Sequence, residues 1–234
     1  MKRVVIITGA TSGYGLAMAC KFKDLGDKVV VVSRNEEKVK EVVEQFGFSD
    51  SFVLDVTDYN GWVELKDYVL KKYGHIDILV NNAGGGVKIE PITCQTKESI
   101  DAIISLNLNS VIYGSGVFAS VFQKQRDGLI INISSVCARH CWPDWSVYAA
   151  AKAGVLNFSK GLYVDLQPYG VRVSCVIPAA ATTNFNKNAG LEDNELSLKV
   201  EDIANAVIYV ANQPKTVNVE EVTVWGTSQV VNPL

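Results

Sequence analysis

Tyr148 and Lys152 are the two residues of this 234-residue sequence whose types and spacing most directly suggest chemistry. Four positions apart on a helix, they share one face and reach a common ligand. A tyrosine hydroxyl has a pKa of about 10, so it acts as a base near neutral pH only if its anion is stabilised by roughly 3–4 kcal/mol. A lysine one turn away supplies part of that stabilisation, and the pair indicates proton exchange with an oxygen. The same spacing also occurs by chance, so the pair needs support from other motifs.

A glycine-rich segment, Thr8 to Gly15, lies between the first apolar run and an apolar helix predicted over Leu16 to Leu25. Its three glycines let the backbone turn sharply and approach a pyrophosphate, which the free N–H groups of the helix then bind. A tight strand-to-helix turn without a ligand is the alternative. The strand–loop–helix context favours a dinucleotide phosphate site. The predicted phosphate-binding residues are Gly9, Thr11, Ser12, Gly13, Tyr14 and Gly15.

The elements that position these residues are short β-branched apolar runs, which alternate with longer segments of helical spacing. Continuous apolar strands without polar alternation are typical of a parallel sheet that is covered on both faces. The sequence therefore predicts an α/β fold with a doubly wound, Rossmann-like, seven-stranded parallel sheet and helices on both faces. The predicted strands are Val4–Ile7, Val29–Val32, Ser51–Leu54, Ile76–Val80, Leu129–Ile133, Val171–Ile177 and Glu221–Trp225.

The whole chain, 1–234, is predicted to be one domain, because no repeat and no Pro/Gly/Ser-rich linker divides it. Residues 1–130 form the predicted cofactor-binding part, and residues 131–234 the catalytic and substrate part. The irregular segment 179–198 precedes a helix predicted over Val200–Asn212. Because this segment follows the carboxyl end of a strand, a mobile flap is favoured over an ordinary surface loop.

Six motifs follow one another along the chain. In order, they are T-G-x-x-x-G-x-G from Thr8 to Gly15, Leu54-Asp55-Val56 at the end of the third strand, N-N-A-G from Asn81 to Gly84, Asn107 in a long helical segment, the Ser134-Ser135 pair, and Y-x-x-x-K from Tyr148 to Lys152. From Thr8 to about Trp225 the sequence therefore resembles the short-chain dehydrogenase/reductase (SDR) family.

The resemblance implies a role for each candidate catalytic residue. Tyr148 exchanges a proton with the substrate oxygen, while Lys152 lowers the pKa of the tyrosine and holds the nicotinamide ribose. Ser135 hydrogen-bonds the carbonyl oxygen, and Asn107 supports a water relay to the lysine. The other cofactor contacts that it implies are Asp55, Val56, Asn82, Ala83, Gly84, Pro178, Ala181 and Thr183.

The residues after the second strand indicate which nicotinamide cofactor is bound. About 20 residues beyond the glycines, an acid usually binds the adenosine ribose in such folds. Here the sequence has Ser33 and Arg34. A hydroxyl and a guanidinium favour a 2′-phosphate, which a carboxylate would repel. We therefore predict NADP(H) rather than NAD(H), the alternative being a solvated Arg34 at the start of a helix.

Two positions depart from the family pattern. Ala179 stands where the family has a glycine after Pro178, which requires a negative φ or some strain. Trp225 lies at the end of the last strand, where similar reductases often have Arg-Pro-Thr. We expect it to shape a partner interface or to fill the core.

The segment between the candidate serine and tyrosine, residues 136–147, must border the reacting carbonyl. Trp142 and Trp145, with His140, are expected to wall the pocket and to suit an apolar or ring-containing part of a substrate. Arg139 is expected to attract a carboxylate, although each of these residues alternatively packs or faces water.

Cys137, His140 and Cys141 also suggest zinc, but this spacing provides no fourth ligand, and we predict no metal. The chain has five cysteines, an odd number at irregular spacings. Such a set is poor material for disulfides and suits a reducing compartment, so the expected localisation is cytoplasmic.

Composition and charge exclude several classes of partner. With 48% hydrophobic residues the chain can bury a large core. Its net charge of -3 gives no field that would attract nucleic acid, so none is expected as a partner. No apolar run approaches the roughly 20 residues of a membrane helix, and no membrane association is expected either.

Two central helices, predicted over Ser99 to Gln125 and Tyr148 to Gln167, carry more apolar residues than one buried face needs. A two-fold interface between such helices would bury them, so we expect a homotetramer or a homodimer. The residues concerned are Val111, Ile112, Val117, Phe118, Val121, Phe122, Leu156, Phe158, Leu162 and Val164.

Together these observations predict an NADP(H)-dependent oxidoreductase that acts on a small-molecule ketone, secondary alcohol or hydroxy acid. Two alternatives stay open: an NAD-dependent polyol or sugar dehydrogenase, and a dinucleotide-sensing protein without turnover. The set of Asn107, Ser135, Tyr148 and Lys152 favours catalysis, because a sensor needs no matched base and oxyanion partner.

Overall fold

A single seven-stranded sheet organises the chain in the computed structural model, which describes residues 2–85, 89–181 and 198–227. Its order is β3-β2-β1-β4-β5-β6-β7, and every neighbouring pair is parallel. The strands are β1 (Val4–Thr8), β2 (Lys28–Ser33), β3 (Asp50–Val53), β4 (Ile78–Asn81), β5 (Gly128–Ile133), β6 (Val171–Pro178) and β7 (Glu221–Val224). The helices are α1 (Gly13–Asp24), α2 (Glu36–Phe46), α3 (Tyr59–Tyr73), α4 (Lys97–Ile104), α5 (Ser110–Gln125), α6 (Ser146–Leu166) and α7 (Val200–Ala211). The predicted doubly wound fold is confirmed, and the predicted strand ends differ from the observed ones by at most two residues.

Helices cover both faces of the sheet because both faces of its inner strands are apolar. In β1, Val5 and Ile7 face one core, which is closed by α1 and α7. Val4 and Ile6 face the other core, which is closed by α3, α5 and α6. All five residues of β1 are buried, as expected for a parallel strand between two helical layers.

A π-helical turn, Ser105–Asn109, joins α4 to α5, so that one helical run extends over Lys97–Gln125. By length and composition this run could cross a membrane, and the expectation that no apolar stretch reaches that length is wrong. Of its most apolar window, 44% is buried inside the fold. Phe118 and Phe122, for example, are fully buried. A buried core helix of this kind meets the same criteria of length and composition as a membrane-spanning helix.

The apolar residues that suggested an oligomer lie mostly in the chain's own core. Six of the ten are buried there, namely Val111, Val117, Phe118, Val121, Phe122 and Leu162. Ile112 and Val164 are exposed, at 37% and 71% of their surface. The surplus of apolar residues is therefore much smaller than the sequence suggested, and the homotetramer or homodimer stays a prediction.

Candidate active site

A cleft of about 790 Å³ runs along the carboxyl ends of the strands. It spans the boundary between β1 and β4, where the order of the sheet reverses and where ligands of doubly wound folds usually bind. Most of the predicted site residues line it: Gly9, Thr11, Ser12, Gly13, Tyr14, Ser33, Arg34, Asp55, Val56, Asn82, Ala83, Gly84, Ser135, Tyr148, Lys152, Pro178 and Ala181. Gly15 and Asn107 are not among the lining residues. Thr183 and most of the predicted flap, 179–198, lie outside the described residues.

The amino end of α1 opens into the cleft without a side-chain cap. Ser12 is extended and forms no capping hydrogen bond, and the first turn of α1 contains no acidic residue. In contrast, the Asn35 side chain caps α2 by accepting a hydrogen bond from Lys38 N at 2.9 Å. The uncapped N–H groups and the positive end of the helix dipole fit a pyrophosphate. Gly9 and Gly13 allow the turn, with φ of 65° and 55°.

Gly15 supports this loop from behind. A Cβ atom at this position would lie 2.2 Å from Gly9 O and 2.7 Å from Asn82 Nδ2. The absence of a side chain lets α1 pack directly on the loop. The structure thus gives Gly15 a packing role, and its contact with the cofactor stays a prediction.

Thr8 ties the end of β1 to the segment after β4. Its Oγ1 accepts hydrogen bonds from Asn82 N and Ala83 N, each at 3.0 Å, while Asn82 Nδ2 donates to Thr8 O at 2.8 Å. The N-N-A-G segment is therefore fixed against the glycine loop across the cleft. Thr8 was not predicted as a site residue, although the motif itself begins with it.

Two cations and a carboxylate lie at the end of the cleft next to β2. Arg34 is exposed there, and Ser33 Oγ accepts a hydrogen bond from Thr11 Oγ1 at 3.2 Å. Lys38, in the first turn of α2, also lines the cleft and was missed by the sequence analysis. The sequence feature that could have identified Lys38 is its position four residues after Arg34. Hydrogen bonds from Thr57, and the nearby Arg34 charge, lower the pKa of Asp55.

The predicted catalytic residues meet at the other end of the cleft. Tyr148 and Lys152 lie one turn apart on α6, with Lys152 Nζ 5.7 Å from the centre of the Tyr148 ring. Lys152 Nζ donates a hydrogen bond to Ile133 O at 3.1 Å. A side-chain hydrogen bond links Ser135 to Tyr148, and Ser135 Oγ also accepts one from Cys137 N at 3.2 Å.

Hydrogen bonds from β5, and from Ser134 directly after it, hold α6 in this position. Ser134 Oγ donates to Lys152 O at 2.8 Å. Two turns further, Asn132 Nδ2 donates to Ser159 Oγ at 2.9 Å. These buried bonds set the height and rotation of α6 above the sheet, and therefore the position of the Tyr148 hydroxyl.

Asn107 lies behind the cleft wall, in the π-helical turn. Its Oδ1 accepts a hydrogen bond from Gly85 N at 2.8 Å, and its Nδ2 donates to Ile103 O at 3.0 Å. A Cβ atom on Gly84 would lie 3.0 Å from Asn107 Oδ1 and 3.3 Å from Lys152 Nζ. Asn107 is thus separated from the cleft by Gly84 and braces that segment beside the lysine. Such π-helical turns are frequent at functional sites. The water relay stays a prediction.

Burial sets the protonation of the Tyr148–Lys152 pair. It raises the pKa of Tyr148 above its ordinary value, with a smaller rise from the nearby Cys137 thiol. It lowers the pKa of Lys152 to about 8. Burial therefore shifts both groups towards their neutral forms. At neutral pH the tyrosine holds its proton, while the lysine, with a pKa of about 8, is still mostly an ammonium. The arrangement can donate a proton to an oxygen placed next to Ser135.

The shifted lysine predicts a dependence of stability on pH. Because the pKa of Lys152 is lower in the folded chain than in the unfolded one, its burial costs most below about pH 8, and the cost fades as the pH rises towards about 10.5. Between about pH 7 and pH 9.5, the free energy of unfolding should rise by about 2 kcal/mol relative to that of Lys152→Met. Urea unfolding of both chains at the two pH values measures this difference. The control is Lys160→Met, which removes an exposed lysine of the same helix. The prediction would be contradicted if the free energy of unfolding changed equally with pH in the unaltered chain and in Lys152→Met.

The residues at the substrate end are placed only partly as expected. Trp142 and Trp145 line the cleft, as predicted. Arg139 does not, because it pairs with Glu221, so its expected attraction for a substrate carboxylate is not supported. Trp225 lines the cleft, a third possibility beside the expected interface or core positions.

The departure at position 179 leaves no backbone strain. Ala179 is absent from the described non-glycine residues with positive φ, which are Arg126 and Asp144. Its N–H donates to Val224 O at 2.9 Å, so it continues the contact between β6 and β7.

No metal cluster is apparent in the described ranges, where no group of three His, Cys, Asp or Glu side chains converges. All five cysteines lie in these ranges as free thiols. Cys137 is buried and Cys141 is exposed.

Comparisons with known proteins agree with this geometry. The family model for short chain dehydrogenases matches residues 3–194. An uncharacterized oxidoreductase of Staphylococcus epidermidis is 32% identical over 224 residues, which cover 95% of this chain and 96% of that protein.

Solved structures give the same result. A serine dehydrogenase in complex with NADP+ superposes with a TM-score of 0.92 at 28% identity, covering 99% of this chain and 98% of that one. A 3-ketoacyl-(acyl-carrier-protein) reductase of Brucella melitensis in complex with NADH has a TM-score of 0.89 at 27% identity, covering 97% and 98%. The chain belongs to the short-chain dehydrogenase family and is an oxidoreductase.

Proposed function

We propose that this oxidoreductase uses NADP(H) to interconvert a small carbonyl compound and its alcohol, with Tyr148 as the acid and base. The observation that carries the proposal is the grouping of Tyr148, Lys152 and Ser135 at one end of a cleft whose other end carries two cations. A bound nicotinamide supplies the hydride in reduction and accepts it in oxidation.

Each of the three residues has a separate task at the carbonyl oxygen. Ser135 Oγ donates a hydrogen bond to that oxygen and stabilises the negative charge that develops on it. Tyr148 transfers its proton to the oxygen in reduction and takes a proton back in oxidation. The Lys152 ammonium favours the tyrosinate that forms during the transfer, because it lies one helical turn away in a buried site.

The two cations at the far end support NADP(H). Arg34 and Lys38 both line the cleft near β2, and no ion pair occupies either of them within the described ranges. A 2′-phosphate would receive two positive charges there, together with the Ser33 hydroxyl. The uncapped end of α1 fits the pyrophosphate between this end and Tyr148.

Cofactor titration and turnover test the proposal together. Fluorescence titration should give a Kd for NADPH at least about tenfold below that for NADH, the gain expected from a charge-assisted contact. NADPH should then be consumed when simple ketones are added. Equal or tighter binding of NADH would favour an NAD-dependent polyol or sugar dehydrogenase. Tight NADPH binding without consumption by any carbonyl compound would favour a dinucleotide sensor.

A further inference from the structure

Three tryptophans from two distant parts of the chain wall the cleft beside Tyr148. Trp142 and Trp145 come from the turn before α6, and Trp225 follows β7. All three are half-buried, and all three contribute to the lining of the cleft. We refer to Trp142, Trp145 and Trp225 as the tryptophan wall.

The packed sides of the tryptophan wall have definite partners. The Trp145 ring lies edge to face on Tyr148, with their centroids 5.5 Å apart. His140, which does not line the cleft, lies behind the wall at 5.5 Å from the Trp225 ring and 6.3 Å from the Trp142 ring. The ring surfaces are therefore held in place, and their contact with a ligand costs little side-chain entropy.

No free charge accompanies the tryptophan wall in the part of the chain that the structure describes. The charged side chains that line the cleft there are Arg34, Lys38 and Asp55 at the β2 end, and Lys152. Lys152 is buried and donates to Ile133 O.

Arg139, the cation nearest in sequence to the tryptophan wall, is already paired. Its guanidinium donates to a Glu221 carboxylate oxygen and, at 3.3 Å, to Thr223 Oγ1. A substrate carboxylate against the wall would lose its hydration without gaining a positive partner, which is costly, whereas an apolar ring would gain contact area.

We infer that the substrate is a neutral ketone, or the corresponding secondary alcohol, that carries an aromatic or alicyclic ring held by the tryptophan wall. This inference rests on the proposed function and narrows it, since keto and hydroxy acids of the same size are disfavoured. In the reduction, the carbonyl carbon gains a hydride and the oxygen gains the Tyr148 proton, while NADPH is oxidised to NADP+.

Four substrates distinguish the effect of a ring on kcat/KM from the effect of a negative charge. Phenylglyoxamide and phenylglyoxylate have the same ring and ketone and nearly the same shape, but only the second is an anion. Acetophenone and 2-butanone differ in the ring. With the unaltered chain and NADPH, kcat/KM should be at least about tenfold higher for phenylglyoxamide than for phenylglyoxylate, and for acetophenone than for 2-butanone.

A variant tests whether the wall causes the ring preference. Trp225→Ala should lower the ratio of kcat/KM for acetophenone to that for 2-butanone at least about fivefold, since it removes one ring surface. Tyr209→Ala removes an exposed aromatic residue of α7 outside the cleft and should leave the ratio unchanged. If Trp225→Ala does not fold, the comparison on the unaltered chain still decides.

Other outcomes would show whether this inference alone or also the proposed function is wrong. One such outcome is that phenylglyoxylate is reduced faster than phenylglyoxamide, with this advantage lost in Arg139→Ala. That result would assign the site to keto acids, and it would overturn the inference while the proposed function stands. Equal kcat/KM for acetophenone and 2-butanone would also overturn it alone. No NADPH consumption with any of the four compounds would overturn this inference, and the proposed function would fall with it only if no other carbonyl compound led to consumption either.

Discussion

Tyr148→Phe is expected to lower kcat for carbonyl reduction by about 10²–10⁴-fold, the usual contribution of a positioned general acid. The change removes only the hydroxyl that transfers the proton in the proposed mechanism. The ring keeps its packing against Trp145 and its position near Lys152. The Kd for NADPH, measured by fluorescence titration, should therefore change little, so that the loss is confined to turnover.

The matched control for this variant is Tyr163→Phe, which removes a tyrosine hydroxyl from the same helix outside the cleft. It should leave kcat unchanged. Thermal melts of both variants check folding, since the lost hydrogen bond of Tyr148 contributes only about 1 kcal/mol to stability. Retention of kcat within a few fold in Tyr148→Phe would remove Tyr148 from the mechanism.

Arg34→Asp is expected to raise the KM for NADPH by about 10²-fold, because a charge-assisted contact is lost and a carboxylate then faces the 2′-phosphate. The KM for NADH, which lacks this phosphate, should change by less than about threefold. Steady-state kinetics with both cofactors and one ketone measure the two effects. Lys38→Ala should change the KM for NADPH in the same direction by a smaller factor, since it removes one cation without adding an anion.

Lys40→Asp controls for the change in net charge. Lys40 lies on α2 near Arg34, but it pairs with Glu36 and does not line the cleft. Its reversal should alter neither KM by more than about twofold, since exposed ion pairs contribute little. Equal increases for NADPH and NADH in Arg34→Asp would show that Arg34 does not read the 2′-phosphate.

The strands and the residues shared by the family were predictable because they depend on local pattern. Inner strands such as β1 and β5 are short apolar runs between helical segments, and burial on both faces leaves this pattern in the sequence. Tyr148 and Lys152 were predictable because four positions on a helix define a common face, whatever the rest of the chain does.

Pairings between distant parts of the chain were not predictable in this way. Arg139 looked free because its partner Glu221 is 82 residues away and on another element. Trp225 looked like a core or interface residue, because only the sheet order brings the end of β7 to the cleft. The sequence predicted a cofactor contact for Gly15 and a water relay to the lysine for Asn107, and both roles stay predictions. What only the structure adds is that neither residue lines the cleft, because each packs or hydrogen-bonds behind the residues that do.

The position of β7 at the margin of the sheet has a further consequence. Among the described strands it pairs with β6 alone, and its four residues are all partly exposed, whereas β5, next to Tyr148 and Lys152, is buried throughout. Marginal elements open locally at a lower free energy than central ones. Warming would therefore loosen β7 and Trp225 before it disturbed β5. The enzyme would then lose its preference for ring-containing substrates at a lower temperature than the one at which it loses turnover.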